Sequence, residues 1–371
     1  AILDGKIVEI SKTIPGSAVE TIRAKNLVVS PGFIDMHSHS DISLPFDQYF
    51  SSVVMQGITT QIVGNCGWSL APVKKENIDL IIKDFEIFLP PGKKLEIKWS
   101  TFKEYLDTMQ QKRIVVNIAP LVGFGAIRIA GGLGYEDREP NDTELNQMKK
   151  LVEEAMKAGA WGISTGLVYA PQSYAKTEEI IELMKVAAKN NRLYFSHIRG
   201  EGSNLINAVK EFIEIVKDSG VRGGQISHHK VSGEKHWGLS KESLCLIDNA
   251  NKQGLNISCD QYPFNRGMTS LVSLLPGWVH EGGMDKLIER LKDHRVRERI
   301  KSESTKINGK QGIREVKWEN IYIAAVKTQN WKDIEGLSIA EISRKKGVND
   351  CFKTLFDIIL EEAGGVVMHI E

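Results

Sequence analysis

The stretch Pro31-Gly32-Phe33-Ile34-Asp35-Met36-His37-Ser38-His39-Ser40-Asp41 is the one around which the rest of the chain is organised. Its apolar residues predict a short strand, on which alternate side chains point to the same side. His37 and His39 should therefore emerge together and face one point, with Asp41 close behind them. Two imidazoles placed in this way are a candidate metal-binding pair. Taken alone, the motif fits two histidines at a solvated strand end equally well.

The pattern of the sequence differs on the two sides of this stretch. Residues 1–30 alternate in the manner of strands, with a hairpin turn signal at Asp4-Gly5, and predict two or three strands of a small β-domain. From residue 31 strands alternate with helices, which is typical of parallel β/α units. Seven such strands are predicted, at residues 33–36, 61–64, 114–122, 161–167, 193–196, 225–228 and 256–262.

The helices between these strands have recognisable ends. Thr101 and Glu104 form a predicted capping box, and Asp142 or Thr143 is predicted to cap a helix that ends at Gly159. Further helices are predicted at residues 177–190, 203–218, 240–252 and 339–359, and a last strand at 366–370, while residues 76–88 are rich in Ile, Leu and Phe with interspersed charges. The sequence thus predicts an α/β fold with a TIM-like (β/α)₈ barrel over residues 31–371. Residues 265–320 break the rhythm and predict an insertion, either a lid or a solvated charged helix.

Three further residues with metal-binding side chains lie at the ends of predicted barrel strands: Cys66, His197 and His228. Parallel strands of such a barrel present their chemistry at the carboxyl ends, so these groups and the histidine pair should meet at one mouth. Imidazole and thiolate are the ligands that zinc prefers. Each residue alone could equally be a buried structural side chain. His228 and His229 face opposite ways on a strand, so only one of them can be a ligand.

Four motifs downstream extend the pattern: Gly64-Asn65-Cys66-Gly67-Trp68-Ser69, Gly162-Ile163-Ser164-Thr165-Gly166-Leu167, Ser196-His197-Ile198-Arg199-Gly200-Glu201 and Ile226-Ser227-His228-His229-Lys230. Together with the first stretch, they resemble the D-aminoacylase (N-acyl-D-amino-acid deacylase) family of the amidohydrolase superfamily. The resemblance extends over residues 30–270. It implies a metal-dependent hydrolase barrel, beside part of a small β-sandwich domain.

The resemblance also implies roles for individual residues. Cys66, His197 and His228 would bind the tighter zinc ion. His37 and His39 would hold a second, weaker metal, with Cys66 able to bridge. The substrate would be bound by Lys230, Tyr262 and Arg199, although Arg199 could instead form a structural ion pair. The general base of the family is an aspartate at the end of the eighth strand, which is expected beyond Glu371, so no catalytic residue is assigned within the chain.

The predicted function is hydrolysis of the amide bond of N-acyl-D-amino acids by metal-activated water. One alternative is a cyclic-amide hydrolase of the dihydroorotase or hydantoinase type. Those enzymes use a carboxylated lysine at the fourth strand, whereas residues 161–167 contain no lysine. The other alternative is a non-catalytic metal-binding paralogue, which the missing aspartate would favour.

Composition limits the partners. The 371 residues contain 48 Lys and Arg against 47 Asp and Glu, so no net field attracts nucleic acid or an anionic membrane, and small molecules are the expected partners. No apolar run approaches the ~18 residues of a membrane span. The four cysteines are widely spaced, which favours a reducing cytoplasm. The oligomeric state is not predicted. A seven-strand barrel has two open edges, so these residues made alone are expected to aggregate or to lack activity.

Overall fold

The structure is a computed structural model that describes residues 1–47, 49–89, 92–305 and 317–371. It begins with a hairpin of β1 (Ile2–Leu3) and β2 (Lys6–Ile7), in which Ile2 pairs with Ile7 across the turn at Asp4-Gly5. Both turn residues have positive φ, as a two-residue hairpin turn requires. Residues 27–32 form no strand, so a third strand at this place was a wrong expectation.

Within the described ranges, seven parallel strands form the main sheet, and their order in the sheet follows the chain. They are β3 (Phe33–Asp35), β4 (Ile58–Val63), β5 (Asn117–Gly123), β6 (Gly162–Gly166), β7 (Leu193–His197), β8 (Gly224–Ile226) and β9 (Ile257–Cys259). This arrangement confirms the predicted α/β fold of a TIM-like barrel with seven strands. In the described part of the chain, β3 and β9 are the two edges of the sheet.

Eight α-helices of the described residues accompany these strands. They are α1 (Ser51–Val54), α2 (Ile78–Glu86), α3 (Phe102–Gln111), α4 (Phe124–Gly131), α5 (Asp142–Ala158), α6 (Thr177–Lys189), α7 (Leu205–Ser219) and α8 (Ser240–Lys252). The capping box of Thr101 and Glu104 is confirmed. Helix α5 is capped by Asn141 and not by Asp142 or Thr143, because Glu144 is the residue that reaches back to the cap. Helix α4, fully buried, was not anticipated.

Helix α5 illustrates how the barrel core is built. Its buried residues, Met148, Val152, Ala155 and Met156, recur at helical spacing and pack into the main core. Burying such a side chain stabilises a fold by roughly 1.5–3 kcal/mol. Gly159 ends the helix with φ of 117°, a left-handed conformation that favours glycine. The apolar period therefore orients the helix, and its caps set its length.

A second unit with its own core follows the main sheet. Strands β10 (Gly267–Ser270), β11 (Ile321–Val326) and β12 (Val366–Ile370) form an antiparallel sheet in the order β10-β12-β11. Helices α9 (Met284–Lys292), α10 (His294–Thr305), α11 (Ile339–Lys345) and α12 (Cys351–Glu361) accompany it. The strand predicted at 366–370 is confirmed, whereas the single helix predicted at 339–359 is two helices.

The charged segment predicted as a lid or a solvated helix contains apolar anchors. Leu287, Leu291 and Ile300 on α9 and α10 are buried in the second core, so these helices are amphipathic parts of that unit. Part of the charged run, residues 306–316, lies outside the described residues. Residues 321–371 add no strand to the parallel sheet. The domain limits at residue 30 and at 265–320 remain predictions.

The described helices include none that is both long enough and apolar enough to cross a lipid bilayer.

Candidate metal centre and substrate site

Four predicted ligands lie at the carboxyl edge of the parallel sheet. His197 is the last residue of β7, while His37, Cys66 and His228 lie two or three residues beyond the ends of β3, β4 and β8. Because these strands are parallel and adjacent in register, their ends open to the same side of the sheet. The topology therefore brings together side chains that are far apart in the sequence.

The Cys66 thiol lies at the centre of this group. Its Sγ is 3.5 Å from Nε2 of His37 and 3.6 Å from Nε2 of His228. The His197 ring packs edge-on against that of His228, with 4.4 Å between the ring centroids. Ligand atoms of His37, Cys66 and His228 all lie within 4.8 Å of one another, as do those of His197, Glu201 and His228. Thiolate and imidazole donors this close together suit zinc.

The loop that carries Cys66 is held in an unusual conformation. Cys66 has φ of 55°, and Gly64 and Gly67 are also left-handed. Ser164 on β6 accepts a hydrogen bond from the Gly67 N–H at 2.9 Å and donates one to the Gly64 carbonyl. A side chain at Gly166 would collide with the Cys66 carbonyl oxygen. Strained residues held by their surroundings are typical of functional sites.

Burial and charge act in opposite directions on the Cys66 thiol. Burial raises its pKa, but the charge of His37 and hydrogen bonds with His197, His228 and His37 outweigh that effect and hold the pKa well below its usual value. Burial lowers the pKa of His37, but attraction to Cys66 and the contact with Asp260 outweigh burial, so the pKa is raised overall. The arrangement therefore favours a thiolate, the form in which cysteine binds metals.

The histidines differ in their environments. Burial and the neighbouring His228 lower the pKa of His197, which keeps that imidazole neutral and able to bind a metal. His229 turns away from the group, and its Nε2 is 2.9 Å from Oγ of Ser243 on α8. His228 is thus the member of the pair that faces Cys66.

His39 is placed differently from the other predicted ligands. Its side chain is exposed, and its ring centroid lies 5.3 Å from that of His37. The two groups of ligand atoms around Cys66 and His228 do not include it within the described residues. Asp41 behind it is buried, which raises the pKa of this carboxyl to about 6, against the opposing charge of His39 and the Gly64 N–H.

The predicted substrate residues Lys230 and Tyr262 lie together beside His228. The Lys230 Nζ is 5.5 Å from the centroid of the Tyr262 ring and 2.6 Å from Oε1 of Glu201. Burial lowers the pKa of Lys230, but the charges of Glu201 and Tyr262 outweigh it and raise the pKa. The structure thus supplies a cation at the mouth of the site, already paired with a carboxylate.

Arg199 is turned away from this cation. Its guanidinium donates to Glu211 on α7 at 3.0 Å and to the carbonyl oxygens of Ser173 and Ala175 at 3.1 and 3.0 Å. Through these hydrogen bonds Arg199 joins the loop of Ser173 and Ala175 to α7. These contacts support the alternative of a structural ion pair, and substrate binding by Arg199 stays a prediction.

Two carboxylates beside these ligands, Glu201 and Asp260, were not among the predicted site residues. Oε1 of Glu201 is 2.9 Å from Nδ1 of His228. Asp260 follows β9; its Oδ1 accepts the His228 backbone N–H at 2.6 Å, and its Oδ2 lies 3.7 Å from Nδ1 of His37. Burial raises the pKa of Asp260, but the contacts with His37, Gln225 and the His228 N–H outweigh burial, so the pKa is lowered overall. Their position at strand ends, beside predicted ligands, was the available signal.

Tyr169 and Thr269 connect this site to the second unit. The Tyr169 ring packs edge-on against His197 at 5.0 Å and against Trp68 at 5.7 Å, and its hydroxyl is 3.1 Å from Oγ1 of Thr269 on β10. Met268, the neighbour of Thr269, is 64% exposed and alternates to the other face of β10. Strand β10 therefore presents a hydroxyl towards the site.

Comparison with known proteins agrees with these observations. Residues 20–299 match the family model described as amidohydrolase family. N-acyl-D-aspartate deacylase of Alcaligenes xylosoxydans xylosoxydans is 34% identical over 273 residues, 73% of this chain and 53% of that protein. D-aminoacylase of the same organism is 36% identical over 270 residues, 72% of this chain and 53% of that protein.

A solved structure extends the comparison to the fold. The crystal structure of N-acyl-D-glutamate deacylase from Bordetella bronchiseptica, complexed with zinc and a phosphonate inhibitor that mimics the tetrahedral intermediate, matches with a TM-score of 0.70 at 26% identity. The match covers 92% of this chain and 60% of that one. The chain spans about half the length of the curated relatives it matches. Since the family model matches most of its sequence, and deacylases of D-amino acids are among its relatives, this chain belongs to the amidohydrolase family.

Proposed function

We propose that the protein hydrolyses the amide bond of N-acyl-D-amino acids with the help of bound zinc. The observation that carries this proposal is the position of the Cys66 thiol between the Nε2 atoms of His37 and His228 at the carboxyl edge of a parallel sheet. Relatives named as deacylases of N-acyl-D-aspartate and N-acyl-D-glutamate support the substrate class. The alternative function, hydrolysis of cyclic amides, is disfavoured because β6 (Gly162–Gly166) contains no lysine that could be carboxylated.

The proposed ligands of the tighter zinc ion are Cys66, His197 and His228. His37 and His39 would hold a second ion more weakly, with Cys66 as a shared ligand. The donor set supports this assignment, because one thiolate and several imidazoles suit zinc better than harder cations. A relative with zinc in its crystal structure is a further support. The exposed position of His39 favours weak binding at the second site.

Zinc supplies a Lewis acid that polarises a carbonyl and lowers the pKa of water. The side chains of the protein would bind the substrate and shape the site. Lys230 and Tyr262 would bind the substrate carboxylate by charge and hydrogen bonding, since their functional groups lie together at the mouth. Trp68 and Tyr169, packed ring against ring beside His197, would exclude water from one side of the site. Asp260 would hold the His228 loop through the backbone N–H.

We also propose a cytoplasmic location and small-molecule partners without nucleic acid or membrane. The four cysteines are free thiols, which suits a reducing compartment. The near-balanced charge supports the exclusion of nucleic acid.

The test combines metal analysis of the full-length protein with a panel of N-acyl-D- and N-acyl-L-amino acids. We expect at least one zinc ion per chain, and release of free amino acid from N-acyl-D substrates that chelation abolishes and zinc restores. Protein that binds zinc but cleaves no member of the panel would support a non-catalytic paralogue instead. Cleavage of cyclic amides in preference to linear ones would support a cyclic-amide hydrolase.

A further inference from the structure

Glu201 is a buried carboxylate between two groups that the proposed function uses. It follows β7 in the loop before α7, and it is only 6% exposed. Its Oε1 is 2.9 Å from Nδ1 of His228 and 2.6 Å from Nζ of Lys230. A buried carboxylate needs such partners, since an unpaired charge in the interior is costly. Glu201 thus joins a candidate metal ligand to a candidate substrate-binding cation.

The contact with Glu201 defines how the His228 ring is used. A carboxylate oxygen only accepts hydrogen bonds, so Nδ1 of His228 must carry the proton that is donated to Glu201. In the neutral ring, Nε2 then has the free lone pair, and it is this atom that lies 3.6 Å from the Cys66 Sγ. The carboxylate therefore selects the tautomer that can bind a metal next to Cys66. Hydrogen bonds of this kind orient a ligating imidazole and raise its basicity.

Lys230 approaches the same carboxylate and the same ring. Its Nζ lies 3.3 Å from both Nδ1 and the backbone carbonyl oxygen of His228. An anion that binds Lys230 would compete with Glu201 for the ammonium and leave more of the Glu201 charge to His228. The substrate carboxylate and the metal ligand would in this way be linked through one side chain.

We infer that Glu201 is a positioning residue that holds His228 with Nε2 towards the metal and couples the ring to the substrate-binding Lys230. This inference rests on the proposed function for its metal and its substrate anion. In this inference Glu201 acts through His228 and is not itself a zinc ligand, since its Oε1 is already shared by Nδ1 of His228 and Nζ of Lys230. His37 lacks an equally close partner, since Oδ2 of Asp260 is 3.7 Å from its Nδ1.

The experiment measures zinc affinity of the full-length protein with a competing chelator, for Glu201→Ala and Glu201→Gln. Loss of an orienting carboxylate typically weakens metal binding by about 10–100-fold. We expect Glu201→Ala to show such a loss, and Glu201→Gln to lose much less, because an amide oxygen can still accept the Nδ1 proton. Glu211→Gln is the matched control; it alters a carboxylate paired with Arg199, away from the group, and should leave zinc affinity unchanged.

Cobalt(II) provides a readout besides affinity. The absorption of cobalt bound to Glu201→Gln should match that of the unaltered protein in intensity and position, since no ligand has been removed. Zinc affinity within twofold of the unaltered protein for Glu201→Ala would overturn the inference. So would equal losses in the alanine and glutamine variants together with a changed cobalt spectrum, which would make Glu201 a ligand.

If Glu201→Ala does not fold, Glu201→Asp takes its place, because a carboxylate shortened by one methylene should not reach His228. A lower zinc affinity of the Glu201→Asp variant than of the Glu201→Gln variant supports the inference, and the opposite order contradicts it. Neither measurement depends on amide hydrolysis. Failure of the proposed function would appear as absent cleavage with these metal affinities intact.

Discussion

At the scale of single residues, Cys66 is the candidate ligand around which the other candidate ligands are arranged. Its left-handed backbone and buried thiol are supported by β6 through Ser164 and by the absence of a side chain at Gly166. Its neighbours are three imidazoles contributed by three other strands or their loops. No other described cysteine has such surroundings, and Cys245 and Cys259 are exposed.

Cys66→Ala should abolish tightly bound zinc, because it removes the donor that lies between His37 and His228. Metal content is to be measured by elemental analysis after dialysis. Cys259→Ala, an exposed cysteine outside the group, is the control and should keep its zinc. Stoichiometric zinc in Cys66→Ala would show that the ligand assignment is wrong.

Lys230→Ala should lower kcat/KM by about 10–100-fold for substrates with a free carboxylate, as expected for the loss of a charge-assisted hydrogen bond. Amide-capped analogues present no anion and should lose much less. Steady-state kinetics on both sets provide the measurement. Lys235→Ala, an exposed lysine on the following turn, should leave both sets unchanged. Equal losses on both sets in Lys230→Ala would indicate that Lys230 mainly supports Glu201.

At the scale of elements, helix ends set where each strand begins. Helix α5 starts at a capping box of Asn141 and Glu144, and Arg138 binds Glu144 through two hydrogen bonds of 2.7 Å. It ends at Gly159, three residues before β6. Strand β6 in turn supports the loop of Cys66. Local capping chemistry therefore contributes to the geometry of the site.

Asn141→Ala should lower the free energy of unfolding by about 1 kcal/mol, because it removes the acceptor for the Glu144 N–H. Chemical denaturation of the full-length protein provides the measurement. Thr143→Ala is the matched control, since Thr143 is exposed in the first turn and is not the cap; its effect should be within about 0.5 kcal/mol. A larger loss for Thr143 than for Asn141 would contradict the observed cap.

At the scale of the whole molecule, a cavity of about 180 Å³ lies where the barrel meets the second unit. Trp68 and Tyr169 line it from the barrel, and Val272 and Met284 from the second unit. Asp84 on α2 also lines it and accepts a hydrogen bond from Tyr135. Burial raises the pKa of Asp84 to about 7, although the hydrogen bond from Tyr135 acts in the other direction. The junction therefore contains a group that titrates near neutral pH.

As the pH rises from about 4 to about 7, the free energy of unfolding of the unaltered protein should fall relative to that of the Asp84→Asn variant. Over this range the folded state keeps the Asp84 proton while the unfolded state, with its ordinary pKa near 3.8, has lost it. Stability decreases with pH wherever the folded state binds more protons. Thermal unfolding of both proteins across this range provides the measurement.

Glu144→Gln is the control with the opposite sign. Its hydrogen bonds with Arg138 lower the pKa of Glu144 to about 2, so its stabilisation is present above pH 4.5 and is lost as the pH falls. Parallel stability curves for the unaltered protein and Asp84→Asn between pH 4 and 7 would show that Asp84 ionises normally in the fold.

Local patterns in the sequence are enough to predict the seven parallel strands, most of the helices and the approximate position of each candidate ligand. These follow from local rules, namely apolar periodicity, caps and turns, which act between residues close in the chain. The buried helix α4 was missed because it is short and apolar apart from Arg128, so it lacks the amphipathic period.

Which side chains meet depends instead on contacts between distant parts of the chain. Cys66 and His228 are separated by 162 positions, and Glu201 and Lys230 by 29, so their contacts depend on the register of several strands at once. A shift of one residue in a strand turns every side chain to the other face. For the same reason the sequence could not tell that Arg199 pairs with Glu211, or that Glu201 and Asp260 approach the imidazoles of His228 and His37.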